Sequence, residues 1–153
     1  MTDFDTINTE TWKIRLPTDW SERECSAQHT AYFESADGTK GAYFSSWCFR
    51  DDPRSAREIL ESFRCVEVRT LHEMEDHAWE PVDEFSSDEP ELSELGADFL
   101  DRQARNRIVC HLIARLPWLV RSTFHDYDCA DHDCSKRFFH PIIESLEIHN
   151  EAG

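Results

Sequence analysis

Two short stretches gather the side-chain types that bind metals or move protons. His72-Glu73-Met74-Glu75-Asp76-His77 sets two imidazoles beside three carboxylates. A zinc-protease helix needs its histidines at i and i+4, so that both face one ion. Here they stand at i and i+5, about 140° apart around a helix. They share no face, and no metal is expected there. The second stretch, His125-Asp126-Tyr127-Asp128-Cys129-Ala130-Asp131-His132-Asp133-Cys134 with His140 beyond it, offers nitrogen, sulfur and oxygen donors together. It contains one Cys-x4-Cys and lacks the paired Cys-x2-Cys of a structural zinc site. A calcium loop begun at Asp126 would need glycine and an acid where Asp131 and Arg137 stand. Asp131 and Asp133 instead read as caps of the last helix, favoured by its dipole. A metal-dependent enzyme built on this cluster is the weakest of three functional alternatives.

Nucleophilic chemistry has no anchor. No Gly-x-Ser-x-Gly elbow occurs, and the chain's four glycines form no phosphate-cradling loop. Asp37-Gly38-Thr39-Lys40-Gly41 is a turn, because no helix pattern follows it. No catalytic residue, cofactor or metal is assigned, and a non-catalytic protein is expected.

Charge says more. The 153 residues carry 32 acids against 16 lysines and arginines, a net charge of −16. Such a chain repels nucleic-acid phosphates and anionic membrane surfaces, so neither is an expected partner. Twelve acids and no lysine or arginine lie between Leu71 and Asp101, whereas the rest holds 20 acids against 16 bases. Trp79, Phe85 and Leu92 interrupt this block as apolar anchors would. The expected partner-binding set is Trp79 and Phe85 at the centre, with Asp83, Glu84, Asp88, Glu89, Glu91 and Glu94 around them.

The elements that must position these residues follow from hydrophobic period. Trp12 to Leu16 alternates as a half-buried strand and Pro17 ends it. His29–Ser35 and Ala42–Phe49 read as a hairpin around the Gly38 turn. Asp51-Asp52-Pro53 opens a helix whose apolar face holds Ala56, Ile59, Leu60, Phe63, Val66 and Met74. Strands are expected over Trp79–Phe85, Ala97–Gln103, Asn106–Arg115 and Trp118–Tyr127, with a mobile loop from Ser86 to Glu91. Asn106–Arg115 is apolar on both faces and therefore central. A final helix spans Cys134–Ile148, interrupted at Pro141. The expectation is one α+β domain over residues 1–153: a twisted, mostly antiparallel sheet of about six strands with two packed helices, in the order β-β-β-α-β-β-β-α.

Eighteen aromatic residues supply a core. No apolar run is long enough for a membrane helix, and the acidic start Met1-Thr2-Asp3-Phe4-Asp5 does not read as a secretion signal. Cytosolic residence is therefore expected, with all six cysteines reduced and Cys48 and Cys110 acting as small buried hydrophobes.

Trp12-Lys13-Ile14-Arg15-Leu16-Pro17 followed by Asp19-Trp20 resembles the opening of the PsbP/DcrB-like superfamily. Further matches are Phe33-Glu34-Ser35 with Asp37-Gly38, the strand through Tyr43 and Ser45, Ser55-Ala56-Arg57-Glu58, and the ending Phe139-His140-Pro141-Ile142-Ile143-Glu144-Ser145-Leu146. The resemblance implies a twisted antiparallel sheet with helices on its faces. It also implies members that bind proteins instead of catalysing reactions, among them adaptors that chaperone type VI secretion effectors. The acidic block matches no motif of that superfamily. Together these readings lead to a cytosolic immunity protein that neutralises a basic protein toxin. The alternative is an adaptor or chaperone for a secreted effector.

Overall fold

The structure, a computed structural model, describes residues 2–150; Met1 of the acidic start lies outside them. Strands β1 (Phe4–Asn8) and β2 (Trp12–Pro17) pair antiparallel, and β2 ends at Pro17 as its missing N–H requires. Strands β3 (Ser21–Arg23), β4 (Thr30–Glu34) and β5 (Lys40–Cys48) follow. The β4–β5 turn places Gly38 at φ +74°, a conformation glycine adopts without steric cost. After helix α1 (Ala56–His72) come β6 (Glu80–Asp88), β7 (Ser93–Asp101), β8 (Asn106–Arg115) and β9 (Trp118–Asp126). Helix α2 (His132–Glu144) and the short β10 (Glu147–Ile148) close the described chain.

One sheet runs β3-β4-β5-β9-β8-β7-β6, all antiparallel, and β1-β2-β10 forms a second. The fold class is the expected α+β, with seven strands in the main sheet instead of six. Trp12–Leu16, expected in a single sheet with the others, belongs to the smaller one as β2. Strands β1, β3 and β10 are too short or too polar to leave a period-2 signal. The expected last helix stops at Glu144, and its final residues instead pair with β2.

Each face of the main sheet carries a core. Ile14, Leu16, Phe44, Val109, Ile113, Phe124, Phe139 and Ile142 fill the space between the sheet, β2 and α2. Ile59, Leu60, Leu95, Leu112 and Leu119 seal α1 to the opposite face. Residues Arg107 to Ala114 of β8 are all buried, as a strand covered on both sides must be.

Helix α1 departs from expectation at both ends and in its middle. Asp51 sits at φ +63°, a turn conformation, and the cap is Ser55. Ser55 Oγ accepts from Glu58 N–H, and Glu58 reaches back to the Ser55 N–H, a reciprocal capping box. Val66, expected inside, is 54% exposed, and Glu67 is buried in its stead. Met74 lies beyond the helix end. Cys48 is exposed, while Cys110 is buried as read.

Candidate functional site

The acidic segment folds into β6, the β6–β7 turn and β7. Strand β6 is an edge: it pairs with β7, and its other side meets no strand among the described residues. The presumed mobile loop does not exist as such, because residues 86–88 extend β6 and the chain reverses over Glu89–Leu92. Period-2 alternation splits the acids between the two faces of the edge. Asp83 and Phe85 point to the α2 side, where Lys136 Nζ lies 3.4 Å from Asp83. Glu84 and Asp88 point to the α1 side, where Arg64 bonds Glu84 and Ser93 Oγ donates to Asp88. Glu89 and Glu91 sit in the turn, with Arg115 Nη2 3.4 Å from Glu91. The carboxylate of Glu94 approaches His111 Nε2 at 3.6 Å. The arrangement is a rim around an open backbone edge instead of one flat anionic patch.

Among the described residues, five of the block's acids meet a lysine or arginine: Glu80, Asp83, Glu84, Glu91 and Asp98. All but the Asp98 pair are solvent-exposed and each contributes roughly 0–1 kcal/mol. Of the seven acids on β6, its turn and the start of β7 (Glu80, Asp83, Glu84, Asp88, Glu89, Glu91 and Glu94), four meet a lysine or arginine among the described residues, which leaves the rim anionic.

Of the two expected aromatic anchors, one is corrected. Trp79 is 9% exposed and packs with Leu71, Phe99 and Ile108, its indole N–H directed at Met74 Sδ. It belongs to the core because it enters the space between the end of α1 and strands β7 and β8 just before β6 begins. Phe85 is 46% exposed. Its ring lies across Gly96, where an added Cβ would come within 2.0 Å of it, and covers the buried His111 ring at 5.6 Å.

The His125–Cys134 cluster disperses. Asp126 is buried 3.9 Å from Lys40, Asp131 caps α2 through the Asp133 and Cys134 N–H groups, and His132 Nε2 bonds Asp98. Asp98 also accepts two bonds from Arg107, at 2.9 and 3.0 Å, while Arg107 Nη1 reaches Ser135. This buried network ties β7 and β8 to α2. His77 likewise leaves its neighbour His72 and bonds Asp101 at 2.8 Å. Among the described residues, no group of three His, Cys, Asp or Glu side chains is placed to hold a metal ion.

Sequence reasoning missed a cleft on the α1 face. Helix α1 covers β7 and β8 and leaves β5 and β9 partly open, and a cavity of about 330 Å³ lies between them. Glu67, 7% exposed, accepts a 2.5 Å bond from Arg121 Nε. Burial pushes the Glu67 carboxyl up despite that arginine, and pushes the Cys110 thiol beside it up as well. His125 is lowered to about 4, first by burial and then by Arg121. Tyr43 stacks on Tyr32 and meets His125 edge-on. The available signal was an acid at the helical spacing of Ile59, Phe63 and Leu71, and an arginine within an apolar strand.

No family model matches the chain, and no curated protein does. Among solved structures it is similar to the solution structure of cyanobacterial PsbP (CyanoP) from Synechocystis sp. PCC 6803, with TM-score 0.70 and 8% identity over 97% of this chain and 94% of that one. A crystal structure from Bacteroides thetaiotaomicron VPI-5482 aligns with TM-score 0.49 and 12% identity over 92% of this chain, which spans 46% of that one. The fold is therefore PsbP-like.

Proposed function

We propose that the chain is a non-catalytic binding protein of the immunity type, docking a basic protein toxin through the acidic edge of β6. One observation carries this reading. The open edge is flanked on both faces by carboxylates and bears a half-exposed phenylalanine whose ring lies against Gly96. An extended cationic segment of a partner can add to β6 by main-chain hydrogen bonds. Its alternate side chains then meet Asp83 and Phe85 on one side and Glu84 and Asp88 on the other. Two acidic edges repel each other, which guards against self-pairing while attracting a cationic strand. Trp79 leaves the docking set; Phe85 becomes its centre.

Cytosolic residence belongs to this proposal. No helix of the described residues is long and apolar enough to cross a membrane. The test is paired affinity capture from the source cells, with wild type and the variant Asp83→Lys/Glu84→Lys/Asp88→Lys/Glu89→Lys as baits. A basic protein retained by wild type and lost by the variant supports the reading. Equal recovery by both removes the acidic edge from it. A client that is retained by both and stays bound at high salt instead favours the effector-adaptor alternative.

A further inference from the structure

The cleft between α1 and strands β5 and β9 lies two strands away from β6 and owes nothing to the docking proposal. Its floor is the part of the sheet that α1 leaves uncovered: Tyr43 and Ser45 from β5, Arg121, Thr123 and His125 from β9. Its far wall is Leu71 at the end of α1 and Met74 just beyond it, and Ile108 adds a further apolar surface. A second cavity of about 210 Å³ adjoins it and shares Tyr43, Met74, Ile108 and His125.

Arg121 organises this space. Its Nε is held by Glu67, itself buried on α1, so the guanidinium has one orientation. The side chain remains 42% exposed, and neither Nη1 nor Nη2 bonds any described residue. The fork of a guanidinium matches a planar carboxylate through two parallel hydrogen bonds. A cleft of mostly apolar lining with an oriented, half-satisfied guanidinium is the usual form of a small-ligand site, and its volume falls at the lower end of that range.

Local charge selects the kind of anion. Glu67 stands beside Arg121, so a dianion would meet a carboxylate across the same guanidinium. His125, partly buried beside Arg121 and held below the ordinary histidine range by burial and that arginine, supplies no second positive charge at neutral pH. We propose that this cleft binds a small organic monocarboxylate, its carboxylate on the Arg121 terminal nitrogens and its apolar body against Leu71, Met74 and Ile108.

The test titrates the full chain with benzoate, phenylacetate and isovalerate, following heat and amide chemical shifts. Benzamide and inorganic phosphate serve as the neutral and dianionic comparisons. The expected result is saturable one-to-one binding of at least one carboxylate below about 10 mM. Benzamide should bind at least about tenfold more weakly, as loss of a charge-assisted hydrogen bond implies. Arg121→Gln should weaken the carboxylate by a similar factor, with shifts confined to residues lining the cleft. Because that change leaves Glu67 buried without its cation, Glu67→Gln/Arg121→Gln supplies a second variant in which the pair is removed together. The proposal is overturned if none of the three acids saturates, if benzamide or phosphate binds as well, or if the double variant retains full affinity.

Discussion

At the scale of single residues, burial decides which side chains are free to act. Trp79 and Phe85 lie six residues apart in one acidic segment, yet one fills the core and the other faces solvent. Trp79→Ala should cost about 3–5 kcal/mol in urea denaturation. Phe85→Ala should cost clearly less, about 1 kcal/mol, because half of the ring is already in solvent, and should weaken partner capture. A similar loss of stability in both would contradict the assignment. His125 gives a pH dependence with a definite sign. Its folded pKa of about 4 lies below the ordinary histidine value, so the unfolded chain binds more protons across that interval. Stability should therefore fall as pH drops below about 6.5, by about 2 kcal/mol at pH 5. Glu67 acts in the opposite direction: its raised pKa contributes stability in acid that is lost as pH rises through it. Urea melts at both pH values should show a smaller acid loss in His125→Gln than in wild type. An unchanged loss would place the titrating group elsewhere. The Asp98–Arg107–His132 network is a further buried charge system, and Arg107→Ala should cost about 3–5 kcal/mol by leaving Asp98 without its guanidinium.

At the scale of elements, periodicity was readable where one face is apolar and unreadable where packing overrides it. Asn106–Arg115 was found at its observed limits, and the β4–β5 hairpin within two residues of them, because each alternates or is apolar throughout. The three-residue β3 and two-residue β10 hold too few side chains for any period to show. On α1 the wheel chose Val66 over Glu67, since a sequence does not reveal that Arg121 waits across the cleft to receive a carboxylate. That one substitution of expectation hid the whole cleft. The acidic edge was legible as composition, but its division between two faces required the register Phe85↔Gly96 and Glu84↔Ala97. The start of α1 offers a direct check on its capping box: Ser55→Ala should cost about 1 kcal/mol. Gly96→Ala should push the Phe85 ring off the sheet and alter partner capture, because the ring occupies the space an alanine Cβ would need.

At the scale of the molecule, the account rests on charge held around one open strand. Twelve of the chain's 32 acids, with no lysine or arginine among them in sequence, lie in the segment that forms this edge, and that excess steers cationic partners and discourages edge-to-edge pairing between copies. Steering acts chiefly on the rate of encounter, while contacts at Phe85 and along the β6 backbone govern dissociation. The most direct measurement is the association rate of the captured basic partner, taken at about 0.05 and about 0.5 M salt with wild type and with Asp83→Lys/Glu84→Lys/Asp88→Lys/Glu89→Lys. The account predicts a fast wild-type rate that drops steeply with salt, and a slow variant rate that barely responds. Equal rates for the two proteins at low salt would contradict it.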